Sequence, residues 1–382
     1  MSDAPFAPVD PFTVTVRRID EPGTAAALRA AGPIVRAEAP AGGPVWIVTD
    51  GDLARRALGD ERLVKDPAYA PHTWDRWAAG LEPTAAERPS LTTLDGPAHT
   101  ALRKAHTPLL TARRIQAHGD RITAIARDLL AAASDPVDLT ADFTTRFPLA
   151  VICELLGVPE ERVDQAVAAC ARMSGADPAA FGAAMAAFSD LAEAALAGDG
   201  MAAELRGRVP SGLTDPQVHY LLFGLIFPGQ ITTDPALGFV LADVLDDGRG
   251  DTDLDDLVRE TLRHHPPAPL TLWRFTVEEV ELAGVRLPPR TPVLVDILGT
   301  GTDPHRETGP DLIFGAGPHY CLGAQLASLE LRAVAEVVRT QFPHARLAVP
   351  RAALRQVSDG GIGGNRLAAL PVVLGRRRSG GC

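Results

Sequence analysis

The stretch Phe314-Gly315-Ala316-Gly317-Pro318-His319-Tyr320-Cys321-Leu322-Gly323 constrains this chain more than any other part of it. The run that follows, Ala324-Gln325-Leu326-Ala327-Ser328-Leu329-Glu330-Leu331-Arg332, has strong helix formers and apolar residues at helical spacing, so it predicts a helix. Gly315 and Gly317 permit a tight turn ahead of it, and Gly323 removes a side chain where a flat group could approach the backbone. Cys321 thereby comes at a helix start, where free N–H groups and the positive end of the dipole favour a thiolate. That is a loop suited to holding one sulfur against a metal, with Phe314 able to cover the ligand face. A lone cysteine in a glycine-rich turn is more often a small buried hydrophobe, so the motif needs company.

Company is present in chain order. His99 and Arg103 stand four apart on one face of a helix beginning near Pro97. Glu260 and Arg263 stand three apart, close enough to bond each other. Arg274 follows in Leu272-Trp273-Arg274-Phe275, and His319 lies inside the loop itself. Singly, each reads as an ordinary surface or capping residue.

Together they resemble the cytochrome P450 family, whose signature F-x-x-G-x-x-x-C-x-G is matched position for position from Phe314 to Gly323. The resemblance implies a haem b cofactor with Cys321 as the proximal iron ligand and Phe314, Gly315 and Gly323 shaping its loop. It implies that His99, Arg103, Arg274 and His319 hold the haem propionates, whose buried charges must be paired and hydrogen-bonded. Glu260 and Arg263 match the family's structural pair, for whose usual arginine partner Arg306 is the nearest candidate. The fold implied is mainly α with small β-sheets, as a single domain over residues 1–382. It would comprise a small β region at about 12–50, a helical core at about 97–265 and the cysteine loop at 314–323.

Local patterns agree with a mostly helical chain. Pro44 to Thr49 reads as a strand followed by a helix from Asp50 to Leu58. Residues 97–133 and 140–156 read as helices, the second stopped by Gly157 with Pro159 just beyond. Val277 to Leu282, Pro292 to Leu298 and the C-terminal 366–374 region read as strands.

The central apolar run ending Phe227-Pro228-Gly229-Gln230-Ile231-Thr232-Thr233-Asp234 resembles the family's long helix above the iron, whose pattern is A-G-x-[DE]-T-[TS]. Gly229 and Thr232 keep the pattern, Pro228 replaces the small residue and Ile231 replaces the acid. Isoleucine cannot carry a proton, and Pro228 should kink the helix. Gln230 and Asp234 are the nearby polar candidates for a substitute relay. Two further departures are a short acidic linker, Asp246 to Asp253, where the family inserts a helix, and a shortened stretch from Thr302 to Phe314. Substrate contacts are expected from the loop at about 67–91, with His72, Trp74 and Trp77, and from Ile231; the tryptophans could equally be packing residues.

Net charge is −11, from 37 Lys+Arg against 48 Asp+Glu, with no basic stripe, which disfavours nucleic acid. There is no signal-like N-terminus, and apolar stretches such as Leu221 to Phe227 are too short to span a bilayer, so the chain reads as soluble and cytoplasmic. Cys153, Cys170 and Cys382 show no paired spacing, which fits a reducing compartment; the first two read as packing residues and the last as free. The resemblance implies an oxidoreductase acting on a small molecule, aromatic or peptide-derived, with electrons from a ferredoxin and ferredoxin reductase. The missing acid tilts the expectation slightly from hydroxylation toward oxidative coupling or cyclisation. A recruitment module without turnover is the reading outside enzymology, and Cys321 argues against it.

Overall fold

The computed structural model describes residues 4–81, 88–173, 177–246, 252–305, 309–360 and 363–375. Arg306, Cys382 and most of the acidic linker lie outside the described residues. The architecture is predominantly helical with small sheets. The chain divides into two compact units, the first formed by Met1–Thr100, Leu262–Leu322 and Val357–Asn365, the second by Ala101–Thr261, Gly323–Gln356 and Arg366–Cys382.

In the first unit, a five-stranded sheet runs in the order Ile34–Glu38, Pro44–Val48, Pro292–Val295, Arg274–Thr276, Leu63–Val64. Its Pro44–Val48 and Pro292–Val295 strands pair in parallel. Val45 and Ile47 pack with Leu28, Trp273 and Phe275, while Trp46 and Val48 point the other way to Leu53 and Leu58. Both faces are covered, which is why this strand shows no polar alternation. Asp50 then caps the helix Gly51–Gly59, its carboxylate accepting from the Leu53 N–H at 2.7 Å.

Of the strand expected at 277–282 only Val280–Leu282 forms, a bend at 277–279 separating it from Arg274–Thr276. Val280–Leu282 pairs with Val285–Leu287 across Ala283-Gly284, where φ is 49° and 80°, so a tight hairpin turn dictates the register. The strand expected at 292–298 stops at Val295, because Asp296 caps a short helix, Ile297–Gly301.

The second unit is built on the helix Asp215–Val244, opened by a Thr214/Gln217 capping box. This helix is apolar over most of its surface, and helices Arg146–Leu156, Pro178–Ala197 and Ala324–Gln341 pack against it, leaving Gly224, Ile231 and Thr232 exposed. Phe188, Phe223 and Phe227 interlock there, with ring centroids 5.0 Å apart for the first pair and 5.6 Å for the second two. Cys153 and Cys170 are buried, and burial pushes both thiols up to about 12, which suits inert packing residues.

The continuous helix expected at 97–133 is broken into Gly96–His106, Ala112–Gln116 and Gly119–Ala132, with Pro108 and the Thr111 cap interrupting it. The one expected at 140–156 is likewise Leu139–Asp142 and Arg146–Leu156, ending at Gly157 with φ 85°. The C-terminal region forms two short strands, Asn365–Leu367 and Pro371–Val373.

Among the described residues one helix, Pro178–Ala197, is long and apolar enough to cross a membrane by length and composition, with mean hydropathy 1.3. Its apolar character comes largely from alanine. Phe181, Ala184, Phe188, Leu191, Ala192 and Ala195 are its buried residues.

Candidate cofactor-binding site

The cysteine loop belongs to the first unit as far as Leu322. Its backbone closes on itself: the Cys321 N–H donates to the Phe314 carbonyl at 2.8 Å, Gly315 to Leu312 at 2.8 Å and Tyr320 to Gly317 at 3.1 Å. Gly315 and Gly317 have φ of 73° and 69°. A Cβ on Gly317 would stand 2.5 Å from the Leu58 carbonyl oxygen, so this position needs glycine for space as well as for backbone angle. The Cys321 side chain is exposed, in the turn just before the Gly323 cap of helix Ala324–Gln341 rather than within the helix. Phe314 and Tyr320 meet edge to face at 6.4 Å, and burial, then the Cys321 sulfur charge, pushes the tyrosine hydroxyl up.

A charged cluster stands in the same unit. Asp95 accepts from His319 Nε2 at 2.9 Å and from the backbone N–H groups of Lys65 and Asp66 at 2.7 and 3.0 Å. Burial raises the Asp95 carboxyl, but these bonds outweigh it and hold it below the usual range. Burial pulls His319 down despite Asp95, and its ring lies 4.1 Å from that of buried His99. Arg274 is only 4% exposed and burial pulls it down to about 10. Its Nη1 donates to the Leu63 carbonyl at 3.3 Å, while its buried Nε has no hydrogen-bond partner among the described residues. Burial and then the Arg274 charge pull the Lys65 ammonium down to about 7, against Asp95 and the Cys321 sulfur.

An arginine nitrogen left without an acceptor among the described residues, beside a second, partly buried cation and one carboxylate already engaged, describes a cluster short of negative charge. A group bearing carboxylates fits that deficit, and haem bears two. Arg103 follows His99 by one turn on Gly96–His106 and is partly buried.

Glu260 and Arg263 share the helix Leu254–His264. Arg263 pairs with Asp311, Nε to Oδ1 at 3.4 Å, so an acid three residues ahead of Phe314 engages this arginine. Sequence reasoning searched that stretch for a cation and missed Asp311. Lys65 and Asp95 were missed as well; Asp95 opens the His99 motif, whereas Lys65 carries no motif at all.

In the second unit, Thr232 is exposed on the central helix and donates its hydroxyl hydrogen to the Pro228 carbonyl at 2.9 Å. Ile231 beside it is 47% exposed, and nothing lies within 4 Å of a Cβ placed on Gly229. Gln230 is buried and donates to Asp234 Oδ2 at 2.9 Å, where Thr145 also donates at 2.6 Å. Residues 230 and 234 share a helix face that is turned by about 200° from Thr232 to Asp234. Their side chains are thus tied to each other and to Thr145.

Of the loop candidates, Trp74 packs edge-on against Trp273 at 5.9 Å and Phe275 at 5.1 Å, as part of a core cluster. Trp77 and His72 are exposed.

No protein-family profile matches the chain. Individual proteins do. It is 41% identical over 97% of its length, and 99% of the relative's, to the cytochrome P-450 monooxygenase DoxA of Streptomyces peucetius subsp. caesius. It is 30% identical to the 2-hydroxy-5-methyl-1-naphthoate 7-hydroxylase of Streptomyces carzinostaticus, covering 95% of this chain and 97% of the other. Among solved structures, the cytochrome P450 enzyme CxnD, for C–S bond formation in chuangxinmycin biosynthesis, superposes with a TM-score of 0.80 at 26% identity, covering 93% of this chain and 94% of that one. With the signature loop, the anion-seeking cluster and these near full-length similarities together, the chain belongs to the cytochrome P450 monooxygenase family.

Proposed function

We propose that this P450 hydroxylates a small natural-product scaffold of aromatic character as a tailoring step, as a single domain in the cytoplasm, with electrons from a ferredoxin and its reductase. The observation that carries the reading is the 41% identity to a monooxygenase over nearly the whole of both chains. The naphthoate hydroxylase among its relatives favours an aromatic ring.

Haem b, when bound, supplies the activation of dioxygen. Cys321 would ligate its iron, from a loop whose backbone bonds to Phe314 fix the sulfur. Arg274, His99, His319 and Arg103 would hold the propionates, Arg274 with a donor not otherwise used. Glu260 and Arg263 would stiffen the structure beneath. Thr232 and Gly229 line the exposed side of the central helix; with its hydrogen committed to Pro228, the Thr232 hydroxyl offers lone pairs to a water or substrate O–H. Ile231 brings no proton, so protons reach this groove from solvent or from the substrate's own O–H or N–H. Gln230 acts by holding Asp234, and Trp77, His72 and Ile231 stand as exposed candidates for substrate contact.

A second reading, oxidative bond formation, is favoured by Ile231 and by the likeness to a C–S bond-forming enzyme. Turnover under labelled dioxygen separates the two. One labelled oxygen in the product supports hydroxylation. A product that has lost two hydrogens and carries no label overturns it.

A further inference from the structure

We propose that Lys65 is a carboxylate-binding residue of the cofactor pocket, its ammonium pairing with a haem propionate beside Arg274; this rests on the haem reading above.

The strand pairing sets up the contact. Leu63 stands opposite Thr276 and Val64 opposite Phe275 in an antiparallel ladder that ends there, and Lys65 follows Val64 just as Arg274 precedes Phe275, which brings the two cations near each other. Like charges held close together are destabilising, the more so when partly desolvated. Lys65 is partly buried and Arg274 almost wholly so. The charged groups acting on Lys65 are Arg274, Asp95 and the Cys321 sulfur. Asp95 cannot neutralise both cations, because its oxygens already serve His319 and two backbone N–H groups. Arg274 keeps a buried nitrogen with no hydrogen-bond partner among the described residues.

Two neighbouring cations, with one engaged carboxylate beside them, fit an incoming group with two negative charges. Lysine suits the role: a point charge on a flexible stem can follow a propionate that itself rotates. Retention of the cofactor thereby gains a donor outside the His99, Arg103, Arg274 and His319 set.

The test compares wild type, Lys65→Met and Lys65→Arg, each stripped and reloaded with iron protoporphyrin IX or with its dimethyl ester, which lacks the propionate charges. Transfer of each group to excess apomyoglobin is followed in the Soret region. Lys65→Met should release the free-acid haem roughly ten- to a hundredfold faster than wild type, the effect of one charge-assisted hydrogen bond. It should release the ester at the wild-type rate, and Lys65→Arg should stay near wild type with both. Unchanged release of the free-acid haem from Lys65→Met would overturn the proposal, as would equal acceleration for acid and ester, which marks a structural role. Lys65→Gln serves as the neutral variant if the methionine protein does not fold. Wild type that takes up neither group fails the haem reading itself, a result visible before any variant is compared.

Discussion

The loop around Cys321 keeps every position of its signature, whereas the stretch around Thr232 on the central helix keeps three positions and changes two, with Pro228 and Ile231 as the newcomers. In the loop, the hydrogen bonds from Cys321 to Phe314 and from Gly315 to Leu312 leave little room for variation. On the helix, nothing lies within 4 Å of a Cβ placed on Gly229 and Ile231 is 47% exposed, so substitution there disturbs less packing. On the proposed reading, holding the cofactor and steering its chemistry are separate demands, and the second region would be the one free to change without loss of the fold.

The comparison breaks most severely if the sulfur is dispensable. Cys321→Ser should abolish the red-shifted Soret band of the reduced carbon monoxide complex; a persisting band would move ligation elsewhere. Next comes the support of the loop. Arg263 and Asp311 are 19% and 20% exposed, so removing one leaves a charge partly buried. Arg263→Ala should therefore destabilise by about 3 kcal/mol, the lower end for a buried pair, seen in denaturant unfolding. A loss below about 0.5 kcal/mol would class it with surface pairs.

On the helix side, Thr232→Ala should lower product formed per electron pair by about tenfold, less than the hundredfold or more of a full acid–base partnership, because Ile231 supplies no proton for the hydroxyl to pass on. Loss of all product, with one labelled oxygen in the wild-type product, would show an intact relay and erase the contrast between the regions.

The smallest effect concerns Glu330, which is 2% exposed on the helix after the cysteine loop and whose carboxyl burial alone lifts well above its usual range. The folded chain keeps this proton while the unfolded chain releases it above about pH 4.3, so stability falls as pH rises from there to the folded value and then levels off. Glu330→Gln removes that slope. Its melting temperature should exceed wild type by about 2 °C or more at about pH 8 and converge toward it near pH 5; a constant offset at both would refute the assignment.

What could be read beforehand followed local chemistry. The Cys321 turn, the Asp50 cap and the Gly157 stop announce themselves because each depends on residues within a few positions. Lys65 near Arg274, or Arg263 with Asp311, depends on strand register and on chain segments far apart in sequence. Trp74 shows the same limit: its spacing left lid and core equally open, and only Trp273 and Phe275, some 200 residues on, decide for the core. The break at Pro108 and Thr111 was legible in principle, but helical periodicity on both sides concealed it.

The close approach of Gly317 to the carbonyl of Leu58 bears on how accurately the sulfur can be placed. A coordinate bond tolerates errors of a few tenths of an ångström, finer than a surface turn maintains by itself. By resting on the end of helix Gly51–Gly59, the turn borrows the stiffness of a packed helix, which serves as a datum from which the sulfur position is gauged. A bulkier residue at 317 would shift that datum, and the first symptom would be a blurred distribution of metal–sulfur distances in a protein that still folds.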